Sequence, residues 1–235
     1  MSIHDPAAVR REYATEAGLA ARRAAYRNAQ GPNAPELLFQ RIAALRPRRL
    51  LEVGSGQGEL AERVQRELRA AVVAIDQSAR MVELTKARGV DARVGDVQTL
   101  EFEDATFDCA VAAWMLYHVA DVERALDELA RVLVPLGTLI AVTNRGDHLA
   151  ELKDYLGAPS VRWQFRGEDA RALLKARFST VEEIDCPGTV TFPDRASILA
   201  YVAASAALFG GDFDPPDLDA PLVVRRRPVI FVATK

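Results

Sequence analysis

Leu50-Leu51-Glu52-Val53-Gly54-Ser55-Gly56-Gln57-Gly58 reads as a short apolar strand running straight into a glycine bend. Glycines at 54, 56 and 58 let the backbone turn tightly and approach a ligand with no Cβ in the way. Beyond the bend, Leu60, Val64 and Leu68 lie four apart. That spacing marks a helix packed by one face, with its N-terminus aimed at the same ligand. Taken alone, a glycine-rich strand-to-helix turn is a nucleotide-binding hint that a dinucleotide could also satisfy.

Working outward, strand and helix patterns alternate. The predicted strands cover 49–53, 71–75, 90–94, 107–113 and 138–143. The fourth is almost wholly apolar, as a strand covered on both faces should be. Ser78 caps a helix that stops at Gly89, and Asp121 caps one carrying Leu126, Leu129, Val132 and Leu133, closed by Pro135 and Gly137. Past Asn144 the rhythm loosens: helices are expected over 147–156, 168–176 and 194–208, strands over 180–185 and 228–234, and a loop over 210–216. The alternation predicts an α/β, doubly wound sheet with right-handed crossovers. The segment before Pro47 reads as one or two alanine-rich helices starting at Asp5-Pro6, a Gly-Pro break at 31–35, and a short helix over 36–45.

Four positions bear on the ligand. The dinucleotide fingerprint has glycine at its sixth place, where Glu59 stands. Glu52 precedes the first glycine, where a carboxylate can help bind an ammonium group. Asp76 ends the second strand, placed to accept both hydroxyls of a ribose, and Asp96 ends the third, placed to accept from an adenine amino group.

With these acids in place the sequence resembles the class I S-adenosylmethionine-dependent methyltransferases, near the small-molecule group that includes the ubiquinone/menaquinone C-methyltransferases. The resemblance rests on LEVGSGQG, VVAIDQSARMVELTKARG, VGDVQTLEFEDATFD, CAVAAWMLYHV and LARVLVPLGTLIAVTN, in family order between Leu50 and Thr143 or just beyond. It implies a Rossmann-like sheet of about seven strands in the order 3-2-1-4-5-7-6, the last antiparallel, with helical N-terminal and C-terminal cap elements. It further implies an N-terminal lid over 1–46 and a cofactor domain over 47–235 with a cap insertion about 194–226.

The resemblance also implies roles. Glu52, Gly54, Ser55 and Gly56 would hold the methionine portion of S-adenosylmethionine, with Gly58 allowing the turn. Asp76 would take the ribose, Gln77 and Met81 would flank the adenine, and Asp96 with the Val97 amide would read its edge. The Ala113 carbonyl would accept from the ammonium group, with Trp114 beside it. Met81 reads equally as core on an amphipathic helix, and Gln77 as an ordinary turn residue. Tyr117 and His118, after the fourth strand, stand where open α/β sheets place ligands. His118 suits a general base near neutral pH or a structural hydrogen bond. Asn144 and His148, after the fifth strand, are expected at the acceptor, with Tyr13 and Tyr26 closing from the lid.

Composition excludes some classes. The 235 residues carry a net charge of −3, with 49% hydrophobic and 27% charged residues, ordinary for a globular chain and against nucleic acid as the main partner. Short arginine clusters, including Arg225 to Arg227, read as solvated surface. The N-terminus lacks an apolar signal core and no apolar run spans a bilayer, so the expectation is cytoplasmic, with no membrane partner. Scattered histidines and two cysteines give no metal-binding spacing, and none is expected. The expected reaction is methyl transfer to a small-molecule O, N or C acceptor, leaving S-adenosyl-L-homocysteine. The alternatives are a non-catalytic cofactor-binding homologue acting as partner or sensor, and a nicotinamide-dependent oxidoreductase.

Overall fold

β1 (Arg49–Val53) lies at the middle of the main sheet, between β2 (Ala71–Asp76) and β4 (Phe107–Ala113), both parallel to it. This computed structural model describes residues 22, 25–159, 163–205, 209 and 213–235. β3 (Asp91–Val94) extends the sheet beyond β2, and β5 (Leu133–Asn144) adds to β4. β9 (Pro228–Thr234) then runs antiparallel to β5, and β6 (Thr180–Asp185) antiparallel to β9. The order β3-β2-β1-β4-β5-β9-β6 is the predicted one, with β9 in the seventh strand's place.

Two further strands, unassigned in the sequence, pair away from this sheet. β7 (Gly188–Phe192) and β8 (Leu222–Arg226) form a separate antiparallel ribbon. Gln30 is bridged to Thr189 at its edge.

The helices start where their caps dictate. Asn33 accepts the Glu36 amide at the head of α1 (Ala34–Leu45), Ser78 the Met81 amide before α3 (Ala79–Ala87), and Asp121 the Arg124 amide before α4 (Val122–Val132). α2 (Glu59–Leu68) instead follows Gly58 directly, at φ 74, without a side-chain cap. α5 (Ala150–Leu156) starts later than the predicted 147, because Leu149 adopts a left-handed conformation and its amide pairs with Arg225 of β8. α6 (Gly167–Lys175) follows, and α7 (Arg195–Ala203) opens on a reciprocal cap between Asp194 and Ser197.

β5 runs longer than the predicted 138–143. Leu133 already pairs with Phe107, and the register shifts before Thr138 meets Cys109. Pro135 and Gly137 therefore sit in an irregular strand entry and not in a free turn.

Both sheet faces are covered. Leu126, Leu129 and Val132 of α4 pack on one side with Phe107 and Phe231, while Leu38 and Ile42 of α1 pack on the other with Val64 and Val111. Each fully buried side chain of this size contributes about 1.5–3 kcal/mol relative to exposure. A third cluster, Leu152, Val190, Phe192, Ile198, Tyr201 and Val224, joins α5, α7 and the ribbon into a body beside the strand tips. No helix among the described residues is long and apolar enough to cross a membrane.

Candidate cofactor and acceptor site

Because β1, β2, β4 and β5 are parallel, their C-terminal tips share one edge, and the chain leaves each of them into a loop there. A cavity of about 780 Å³ opens at this edge, near the upper end of the ~300–1,000 Å³ usual for small ligands. It runs from the glycine bend to Tyr201 and Arg226.

The bend is held from both sides. The Gly54 and Ser55 amides donate to the Ile75 carbonyl at 2.8 and 3.2 Å. Gly54 has φ 69, and a Cβ there would lie 2.7 Å from Met115 Cβ, so a side chain is excluded by conformation and by space. At Gly58 the same atom would lie 2.5 Å from the Thr85 side chain, whose hydroxyl donates to the Gly56 carbonyl.

Glu52 is buried at the tip of β1, and its Oε2 has no hydrogen-bond partner among the described residues. Burial pushes its carboxyl up to about 8, against the lowering effect of a hydrogen bond from the Ala61 amide, and the neighbouring Asp76 charge adds to the rise. Asp76 accepts the Gly56 amide on Oδ2 and the Ser78 amide on Oδ1, both at 2.9 Å. Burial raises its carboxyl too, against the lowering effect of those two amides.

Most residues predicted for the site line this cavity: Glu52, Gly54, Ser55, Gly56, Asp76, Gln77, Val97, Ala113, Trp114, Tyr117, His118, Tyr26, Asn144 and His148. Three do not. Gly58 faces Thr85, Met81 is fully buried in α3, and Asp96 is turned to Gln98, accepting its amide at 2.9 Å and its side-chain Nε2 at 3.1 and 3.0 Å. Tyr13 lies outside the described residues. Trp114, left-handed at φ 54, turns the chain out of β4, and the Tyr117 ring packs 4.5 Å from His118 and 5.5 Å from Trp163.

His148 is not at an exposed helix start. It is buried, its Nδ1 accepts the Arg227 amide at 2.8 Å, and its Nε2 lies 3.3 Å from the Tyr26 hydroxyl. An Nδ1 that accepts leaves the proton on Nε2, so the ring donates to Tyr26. Burial lowers its pKa to about 3, with Lys153 and Arg226 adding to the fall. The Tyr26 hydroxyl in turn sits 3.2 Å from that of Tyr201, and burial holds the Tyr26 phenol well above its usual range.

Arg226 corrects the reading of Arg225 to Arg227 as solvated surface. Arg225 and Arg227 do face outward, to Glu151 and Asp147, but Arg226 on the opposite face of β8 is only 6% exposed and lines the cavity. Strand alternation turns the middle residue inward, a signal available only once β8 is recognised as a strand. Asn33, Met115 and Tyr201 also line the cavity without having been predicted.

Residues 51–141 match the family model for a methyltransferase domain. These residues form a class I methyltransferase domain. The chain is 36% identical over 103 residues to demethylmenaquinone methyltransferase of Thermus thermophilus, covering 41% of this chain and 47% of that protein. The chain spans from 26% to 56% of the length of several curated relatives it matches. The methyltransferase fold recurs in a SAM-dependent enzyme of Thermotoga maritima described as a possible histamine N-methyltransferase, with a TM-score of 0.57 at 22% identity over 86% of this chain and 89% of that one. It recurs also in phosphoethanolamine N-methyltransferase 2 of Haemonchus contortus, with a TM-score of 0.66 at 16% identity over 100% of this chain and 61% of that one. At these identities the two structures speak for the fold of the methyltransferase domain.

Proposed function

We propose that the chain binds S-adenosylmethionine at the glycine bend and transfers its methyl group to a small-molecule O, N or C acceptor. The observation that carries this is the buried Glu52 carboxyl, whose Oε2 has no hydrogen-bond partner among the described residues, in a cavity beside a bend that admits no side chain at Gly54. An unpaired buried acceptor is costly, and an ammonium group supplies what it lacks. The donor set therefore fits the cofactor. Asp76 uses one lone pair of each oxygen on a backbone amide and keeps others for two hydroxyls.

When bound, S-adenosylmethionine supplies a methyl on a sulfonium, which a nucleophile displaces in line as the S–CH₃ bond breaks and its electron pair stays on sulfur. The protein's share is alignment and exclusion of water. Glu52 and the Gly54–Gly56 backbone hold the methionine portion, Asp76 the ribose, and Gln77, Gly95 and Val97 the base. Trp114, Tyr117 and His118 bound the acceptor, with His118 taking a proton only where the acceptor must lose one. Of the lid over 1–46 and the cap over 194–226, Tyr26, Asn33, Tyr201 and Arg226 line the cavity and act as cover, while residues 1–21 lie outside the described residues.

The test is calorimetric titration with S-adenosylhomocysteine and with NADH, then methyl transfer to hydroxy, amino and carbanion-type acceptors. Preference for S-adenosylhomocysteine with transfer to any acceptor supports the reading. Preference for NADH overturns it, and tight cofactor binding with transfer to none returns a non-catalytic sensor.

A further inference from the structure

Arg226 carries a charge that the described protein does not neutralise. Its Nη2 donates to the Pro32 carbonyl at 2.7 Å and the Gln30 carbonyl at 3.0 Å, and Nε to Gln30 at 3.3 Å. Among the described residues it makes no ion pair, and its Nη1 has no acceptor. Carbonyl dipoles satisfy two of its nitrogens and leave the net charge in a site largely withdrawn from water, which is expensive without an anion. The guanidinium lines the cavity. It acts electrostatically on Tyr26 and His148, while Glu52 feels Asp76 instead. The cavity thus has an acidic region at the glycine bend and a cationic one at Arg226.

The groups on which the Arg226 charge acts include Tyr26 and His148, both uncharged, with Lys153 also acting on His148. His148 is neutral, fixed by the Arg227 amide, and the Tyr26 hydroxyl lies 3.3 Å from its Nε2 and 3.2 Å from the Tyr201 hydroxyl. Arg22, a second cation on the cavity wall, donates to the Ala204 carbonyl at 2.7 Å.

We infer that this region is an anion subsite, and that the methyl acceptor is a small molecule bearing a carboxylate held by Nη1 of Arg226, with His148 and the Tyr26 and Tyr201 hydroxyls beside it. The carboxylate is the anchor and not the methylated atom. With Nε and Nη2 committed to Gln30 and Pro32, the remaining Nη1 offers a charge-assisted hydrogen bond to one carboxylate oxygen, and Trp114, Tyr117, Tyr26 and Tyr201 give the subsite an aromatic lining. This rests on the methyl-transfer reading above.

The test uses the full chain saturated with S-adenosylhomocysteine and a panel of small aromatic carboxylates, each paired with its amide, beginning with 4-hydroxybenzoate and 4-hydroxybenzamide. The wild-type chain should bind at least one carboxylate about tenfold or more tightly than its amide, the scale of one charge-assisted hydrogen bond. In Arg226→Gln that preference should vanish while affinity for S-adenosylhomocysteine stays. Arg226→Lys, which keeps a cation, should retain part of it, and serves if the glutamine variant does not fold. Equal binding of acid and amide, or binding of neither, overturns the inference and leaves Arg226 a clamp on Gln30 and Pro32. Loss of S-adenosylhomocysteine affinity in Arg226→Gln also overturns it, assigning the guanidinium to the cofactor's own carboxylate. A wild-type chain that does not bind S-adenosylhomocysteine sinks the methyl-transfer reading instead, whatever the carboxylates do.

Discussion

Asp76 Oδ2 accepts the Gly56 amide at 2.9 Å, so the acid at the tip of β2 fixes the bend at the tip of β1. One side chain thereby shapes the loop and faces the ligand. Asp76→Ala is expected to weaken S-adenosylhomocysteine affinity by about 1–3 kcal/mol, the scale of lost charge-assisted hydrogen bonds. Calorimetry on the folded variant measures it, and unchanged affinity refutes the ribose assignment.

Glu52 yields a prediction about protons. With its carboxyl at about 8, it is largely protonated at pH 7 in the free protein, and an ammonium beside it favours the ionised form. Cofactor binding at pH 7 should therefore release a proton, seen as a binding enthalpy that varies with the ionisation enthalpy of the buffer. Glu52→Gln should abolish the variation. The same shift bears on stability. A folded pKa above the usual 4.5 means that the contribution is full below pH 4.5 and is lost as pH rises through 8.

His148 acts in the opposite sense. Its folded pKa of about 3 lies below the usual 6.5, so the unfolded chain takes up a proton first as pH falls. Its contribution is complete above pH 6.5 and disappears as pH drops toward 3. Denaturant titrations of wild type and His148→Gln at several pH values should show a shallower acid loss in the variant. Parallel curves would show that the imidazole does not titrate as its burial requires.

The main sheet was legible because its signals are local. The apolar run of β4, the cap at Ser78 and the glycine bend each occupy a few consecutive residues, and parallel topology then fixes which tips meet. Glu52 and Asp76 followed from that alone. The ribbon of β7 and β8 was not legible, since its strands are short and pair across α7 and the residues after it. Without β8 there was no reason to separate Arg226 from its outward neighbours, or to bury His148, whose Nδ1 partner is the backbone of Arg227. Met81 shows the limit of motif transfer: a position beside the adenine in the motif is here filled by a side chain that packs inward.

The bridge between Gln30 and Thr189 has a consequence for how the chain tolerates change. The nucleotide end of the cavity is assembled from neighbouring strands early in the chain, whereas the opposite end is stitched from the N-terminal segment and the last third. Distant groups with no shared partners respond to substitution independently. On the methyl-transfer reading, substitutions around Tyr26, Tyr201 and Arg226 should change which acceptor is taken, while the glycine bend and its two acids go on serving the same donor.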